Sequence, residues 1–429
     1  MKNRNIVSVF ILVFIILGLF AACPAPNPFT DNTKSDSTQP GSTQPGSTDP
    51  GSTQPGSTDP VQSGPPILVA GTTLADKFAW LNINAKSDNT YILEVTANES
   101  LAPQNLSYTD KSNIVIQLKG SGNPTISLSR NGPLFQIDNS VTLILEGTLT
   151  LLGRNNNSSY IVQTYERGTL IMNQGVKITG NSYTPGNGIC CGGVAVGGTF
   201  TMNGGEISGN TKDDRGGGGG VSVWRGTFTM NDGKISGNVA GTNTNGGGGV
   251  YVTGGTFTMN GGEISGNSTV GKYGGGGVLV EEGGTFTMSG GEISANSSGN
   301  ESDSGGGGGG VCVWRGGTFT MSGGEISGNT LFTFRFYGST SLRHHGGGVL
   351  AGGPFTKSGG TITGYANDTV NGNVVKLKYA IGGDSILQES GHAVYADYDR
   401  YRDNTAEPKD NLDSRKVGTA GGWVLLPPF

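Results

Sequence analysis

The stretch Gly-Thr-Phe-Thr-Met-Asn-Gly-Gly-Glu-Ile-Ser-Gly-Asn runs from Gly198 to Asn210 and returns unchanged from Gly255 to Asn267. Close copies occupy Gly226–Asn238, Gly284–Asn296 and Gly317–Asn329, and degenerate copies Gly168–Asn181 and Gly353–Gly364. Phe200, Phe228, Phe257, Phe286, Phe319 and Phe355 mark the period, at intervals of 28, 29, 29, 33 and 36 residues. Such a period is the mark of a solenoid, whose units bury their apolar sides only against their neighbours. Thr227-Phe228-Thr229-Met230 alternates polar with apolar, so Phe and Met share one face of a strand. Lys234-Ile235-Ser236 and Val221-Ser222-Val223 alternate likewise. Three short strands per repeat, separated by glycine-rich bends, predict an all-β chain coiled as a parallel β-helix. Its core is expected to be ladders of like residues: the Phe column, an Ile column (Ile207, Ile235, Ile264, Ile293, Ile326) and a Val column (Val194, Val221, Val250, Val278, Val311, Val349). Asn210, Asn238, Asn267, Asn296 and Asn329 fall at one bend, where Asn tolerates left-handed backbone and stacked amides can bond between coils.

With a Gly-Gly-Gly-Val strand ahead of it, this repeat resembles the right-handed β-helix repeats of the pectate-lyase-like superfamily. It is also similar to repeats of the chlamydial polymorphic membrane proteins and of spirochaete β-helix lipoproteins. The resemblance covers residues 90–400 and implies right-handed coils. It implies no single activity, because this scaffold hosts lyases, hydrolases and adhesins alike. Lyases of the superfamily hold calcium with carboxylates and abstract a proton with a basic residue; its hydrolases use clustered Asp residues. Both place these groups on outward positions of neighbouring coils.

Lys2 and Arg4 precede an apolar run from Ile6 to Ala22 that stops at Cys23. A basic start, an apolar core and small residues before a cysteine describe an export signal over residues 1–23. Leu19-Phe20-Ala21-Ala22-Cys23 is similar to a bacterial lipobox, with Phe20 in place of the usual Leu, and implies acylation of Cys23. Residues 24–64 carry tandem Gly-Ser-Thr-Gln-Pro and Gly-Ser-Thr-Asp-Pro units, a composition that forms no core and predicts a disordered tether. Residues 65–145 open with Thr73-Leu74-Ala75-Asp76, a capping-box-like start to a helix that would carry Leu74, Phe78 and Leu81 on one face. A helix ahead of a β-solenoid is expected to cap it, since an open first coil exposes strand edges. The first irregular coils follow, then the repeats over 146–378, and further strands with a C-terminal cap over 379–429.

The formal charge is −5, and becomes −7 once Lys2 and Arg4 are removed with the signal. An acidic chain without a basic stripe excludes nucleic acid as the natural partner. Only 33% of residues are hydrophobic and 79 of 429 are glycine, which suits coils that each need few inward side chains and tight bends. Cys190 and Cys191 replace two glycines, as free thiols or a strained vicinal bond. Cys312 takes the outward middle position of its strand, four coils and about 19 Å further on, too far for a disulfide with them.

Outward positions are mostly Thr, Ser or Gly, so no catalytic residue is assigned and no cofactor is expected. One outward column is charged: Glu206, Lys234, Glu263, Glu292 and Glu325. Glu263, Glu292 and Glu325, about 4.8 Å apart, should raise one another's pKa or recruit a cation such as calcium. Trp224-Arg225 and Trp314-Arg315 end equivalent strands, with Tyr251 one coil beyond Trp224, and would form a platform for sugar rings. Between the ladder Asn and the next Val, successive coils carry 10, 11, 10, 14 and 19 residues. The longest insertion holds Phe332, Phe334, Arg335, Phe336 and Tyr337, residue types that dominate binding surfaces. The resulting expectation is a monomeric, lipid-anchored β-helix on the bacterial outer membrane, exposed at the cell surface. It would bind a host macromolecule or glycan without catalysis; the alternative is a polysaccharide lyase or hydrolase.

Overall fold

In the computed structural model, the described residues are 64–138, 140–182, 192–212, 217–241, 246–270, 274–299, 307–335, 345–364, 370–381, 384–390, 394–396, 400–402 and 423–425. Cys23, the tether, Cys190 and Cys191 lie outside them.

The chain is an all-β parallel solenoid. Identical positions of successive repeats pair in register: Phe200 with Phe228, Phe228 with Phe257, Phe257 with Phe286 and Phe286 with Phe319. Their rings stack inside the coil with centroids 4.6–4.7 Å apart, and Phe355 closes the column 5.0 Å from Phe319. The Ile and Val columns are buried beside them, together with a Met column (Met202, Met230, Met259, Met288, Met321). Lys357 takes the Met position at the far end of that column. It too is buried, and its ammonium donates to the Gly360 carbonyl at 2.9 Å.

The three strands expected in each repeat lie in two sheets, not three. Thr-Phe-Thr-Met and Glu-Ile-Ser segments belong to one sheet, which we call the Phe sheet, and Thr199–Ser208 and Thr227–Ser236 each run through it as one ten-residue strand. Asn-Gly-Gly in the first and Asn-Asp-Gly in the second kink the strand through left-handed Gly205 and Gly233 without ending it. The Val strands form a second, ten-stranded sheet. A third face is built from two-residue strands just after the Asn bend, such as Thr211–Lys212, Val239–Ala240 and Ser268–Thr269.

The glycine runs ahead of the Val strands make a further ladder. Gly218, Gly247, Gly275, Gly308 and Gly346 pair coil to coil as parallel main chain. A side chain on Gly247 would collide with the Val250 carbonyl oxygen, and one on Gly308 with that of Val311. This layer crosses the outward side of the Val sheet and buries it on both faces. Cys312 therefore points outward by parity yet is fully buried, packed with Leu279, Leu350 and Tyr395. Burial, chiefly, pushes its thiol pKa well up.

The Asn column is a continuous buried ladder from Asn157 through Asn181, Asn210, Asn238, Asn267, Asn296 and Asn329 to Asn373. Asn267 Nδ2 donates to Asn296 Oδ1 at 3.0 Å and to the Ile235 carbonyl at 2.8 Å, and its Oδ1 accepts from the Asn238 main-chain N–H at 3.0 Å. The left-handed residue of this bend is the one before each Asn: Gly209, Gly237, Gly266, Ala295 and Gly328. A second, exposed amide ladder links Asn173, Asn203, Asn231, Asn260 and Ser289.

At the N-terminal end, the helix Leu74–Asn84 has the expected capping box between Thr73 and Asp76. It buries Leu74, Phe78 and Leu81, with Phe78 5.7 Å from Phe135. At the other end parallel stacking stops in two sheets. Trp423–Leu425 pairs antiparallel with Phe355–Lys357, and Val374–Ile381 folds back on Asp384–Ser390.

Candidate ligand-binding bend

The Val strand turns into the Phe sheet at a bend that differs from coil to coil. It carries Glu166-Arg167, then Gly197, Trp224-Arg225, Gly254, Glu281-Glu282, Trp314-Arg315 and Gly352. Four of the residues expected to meet a ligand sit here, and their surroundings separate them.

Trp314 packs with the Cys312–Leu350–Tyr395 cluster, and Tyr251 joins the same cluster. The Tyr251 hydroxyl donates to Glu281 Oε2 at 3.0 Å; burial first, then the Glu281 charge, pushes its pKa up. Tyr251 is thus committed to the protein itself and does not extend a platform from Trp224. Arg315 is exposed but already engaged. Trp224 is different. It lies outside that cluster and is half-buried, with its ring atoms Cζ2 and Cε2 at 3.0 and 3.3 Å from where a side chain on Gly197 would begin. Arg225 is exposed and has φ 66°, and its side chain makes no hydrogen bond or ion pair with any described residue. Thr199 and Thr227, at the start of the Phe sheet in these two coils, are exposed, whereas Thr256, Thr285 and Thr318 of the same column are half-buried.

The long insertion is not a loop at its start. Thr330–Arg335 is a strand on the third face, pairing with Ser297–Ser298 on one side and Val374–Tyr379 on the other. Leu331 and Thr333 point inward, and Phe332 is half-buried opposite Lys376. Phe334 and Arg335 continue this strand; Phe336 and Tyr337 lie outside the described residues.

The charged column is in register as expected, but its electrostatics differ from expectation. Lys177 sits 3.2 Å from Glu206 and Lys234 2.9 Å from Glu263, so lysines alternate with the first two acids. The Ser265 hydroxyl, then Lys234, hold the Glu263 carboxyl below its ordinary range, where stacked acids alone would raise it. Burial pushes Glu206 up, but hydrogen bonds from Ser208 and Lys177 outweigh it and the net shift is downward. Glu292 and Glu325 are exposed and stack without an intervening lysine. Among the described residues, no three His, Cys, Asp or Glu side chains converge to hold a metal ion.

Spacing placed Trp224 and Arg225 correctly at a bend. It missed Gly197 and Gly254, whose lack of side chains makes room for the Trp224 ring and the Arg225 stem, and Thr199 and Thr227 beside them. The signal for these was the bare glycine pair in the neighbouring repeats. No protein-family model, curated protein or solved structure matches the chain.

Proposed function

We infer that this is an exported bacterial β-helix of the right-handed, pectate-lyase-like type, anchored to the outer membrane through lipid on Cys23 and acting at the cell surface as a monomeric adhesin. The observation that carries the reading is the contrast within one coil. Core and ladder positions repeat almost unchanged, while the bend after the Val strand varies and holds a half-buried Trp224 beside an exposed Arg225 whose side chain bonds no described residue. A rigid scaffold with variable exposed bends is how binding proteins present their contacts. The outward rows of Thr supply hydroxyls, and the acid–base pairs of neighbouring coils, Lys177–Glu206 and Lys234–Glu263, engage one another, which favours binding over polysaccharide cleavage.

Binding of the detergent-solubilised full chain to an array of glycans and host matrix proteins, beside an assay for unsaturated sugar products with calcium present, decides between the two. Saturable binding without product is expected; turnover would establish the lyase. Fatty-acid labelling that disappears in Cys23→Ser is the expected sign of the anchor, and an unlabelled wild type would reject it.

A further inference from the structure

We propose that Trp224 and Arg225 form a subsite for one terminal carboxylated sugar of the sialic acid type, a refinement that rests on the adhesin reading. Arg225 has φ 66°, a region costly for any residue with a side chain, and the corresponding position one coil on is Gly254, φ 61°. Glycine is thus the relaxed choice for this bend. Keeping a strained arginine there serves its side chain rather than the fold, and strain of this kind gathers at functional sites. Yet the guanidinium bonds nothing among the described residues. It is an exposed charged fork with no partner among the described residues.

The surroundings specify the partner. The indole of Trp224 rests toward Gly197 of the preceding coil, and the Arg225 stem, through Cγ, toward Gly254 of the following one. The two side chains therefore lie across three coils, about 10 Å along the axis, with glycine on either side. That exceeds one hexose and suits a nine-carbon acidic sugar with its side chain and linkage. A half-open indole offers an apolar surface to a pyranose ring, a planar guanidinium matches a carboxylate through two parallel hydrogen bonds, and exposed Thr199 and Thr227 offer hydroxyls on the adjoining sheet. Polyuronates fit poorly. Their next carboxylates would run toward exposed Glu282, two coils past Arg225, or toward Glu166, two coils before it. A single terminal acid avoids both.

Because glycine is the relaxed residue, Arg225→Gly separates binding from folding. Calorimetry on the detergent-solubilised full chain would use sialyllactose, lactose and a galacturonate oligomer as probes. Wild type should bind sialyllactose about tenfold or more tightly than either other probe. Arg225→Gly should bring sialyllactose down to the lactose level while its thermal midpoint rises. Trp224→Ala should abolish binding of both lactose-based probes. Unchanged sialyllactose affinity in Arg225→Gly overturns the subsite, and galacturonate bound as well as sialyllactose overturns the single-sugar geometry. Sialyllactose failing while other array ligands still bind rejects this proposal alone; a wild type that binds nothing on the array removes the adhesin reading as well.

Discussion

Each coil contains two bends built on opposite principles. At the Asn bend the side chain itself carries bonds between coils, so the residue is the same from Asn157 to Asn373. At the bend after the Val strand the coils are tied by main chain, as where Arg225 N–H donates to the Thr253 carbonyl and Gly254 N–H to that of Glu282. No side chain is needed there, and the coils vary between bare glycine, Trp-Arg, Glu-Glu and Glu-Arg. A bend that the fold leaves free is a bend that function can use.

The largest effect should come from breaking the first bend. Asn267→Ala removes the donor to the Ile235 carbonyl and the acceptor for the Asn238 N–H, leaving two buried main-chain groups unpaired. At about 2 kcal/mol for each such group, the loss is about 4 kcal/mol, read by chemical denaturation. A loss under about 1 kcal/mol would mean that the ladder merely fills space.

A matched pair of glycine substitutions separates the two bends. Ala295 is left-handed, φ 53°, at a position that is Gly266 one coil before and Gly328 one coil after. Ala295→Gly and Arg225→Gly each relieve one strained residue, and each should stabilise the fold by about 1 kcal/mol in denaturation experiments. Only the second should cost binding. If Ala295→Gly also weakened ligand binding, the division between a structural bend and a functional one would be wrong.

The core was legible because it obeys a period of two. Phe228 and Met230 face inward, Thr227 and Thr229 outward, and the register follows from laying repeat on repeat. The glycine run ahead of each Val strand recurs with the repeat, but residues without side chains show no inward or outward parity, so the packing of Gly218, Gly247, Gly275, Gly308 and Gly346 was not legible; the burial of Cys312 shows what they cover. Nor could the bend be read locally. Trp224-Arg225-Gly226 and Trp314-Arg315-Gly316 are identical in sequence, yet one indole rests beside bare Gly197 and the other among Leu279, Leu350 and Tyr395. What distinguishes them lies in other repeats, and is decided by stacking. Tyr251 shows the same thing, since the carboxylate that engages it is Glu281, one coil away.

The smallest effect concerns the charged column, where the comparison moves to neighbouring coils of one sheet. Lys234 lies between Glu206 and Glu263 in register, whereas Glu292 stands between Glu263 and Glu325. The Lys234–Glu263 pair is well exposed, so solvent screens it, and Lys234→Ala should cost only about 0.3 kcal/mol at neutral pH. The sign with pH follows from the depressed Glu263 carboxyl. A carboxylate favoured in the folded state stabilises above its unfolded pKa and ceases to do so as pH falls through the lower folded value. The difference between wild type and Lys234→Ala should therefore hold above pH 4.5, the ordinary value for Glu, and vanish in stronger acid. A difference that persists there would come from packing of the lysine stem. Glu292→Lys repeats the alternation one step on, placing a cation between Glu263 and Glu325, and should gain about as much as Lys234→Ala loses. The same variant tests calcium. Three acids on three separate coils do not converge on one point, so calcium is expected to leave the thermal midpoint of the wild type unchanged. A calcium-dependent rise in wild type that disappears in Glu292→Lys would make this row an ion site after all.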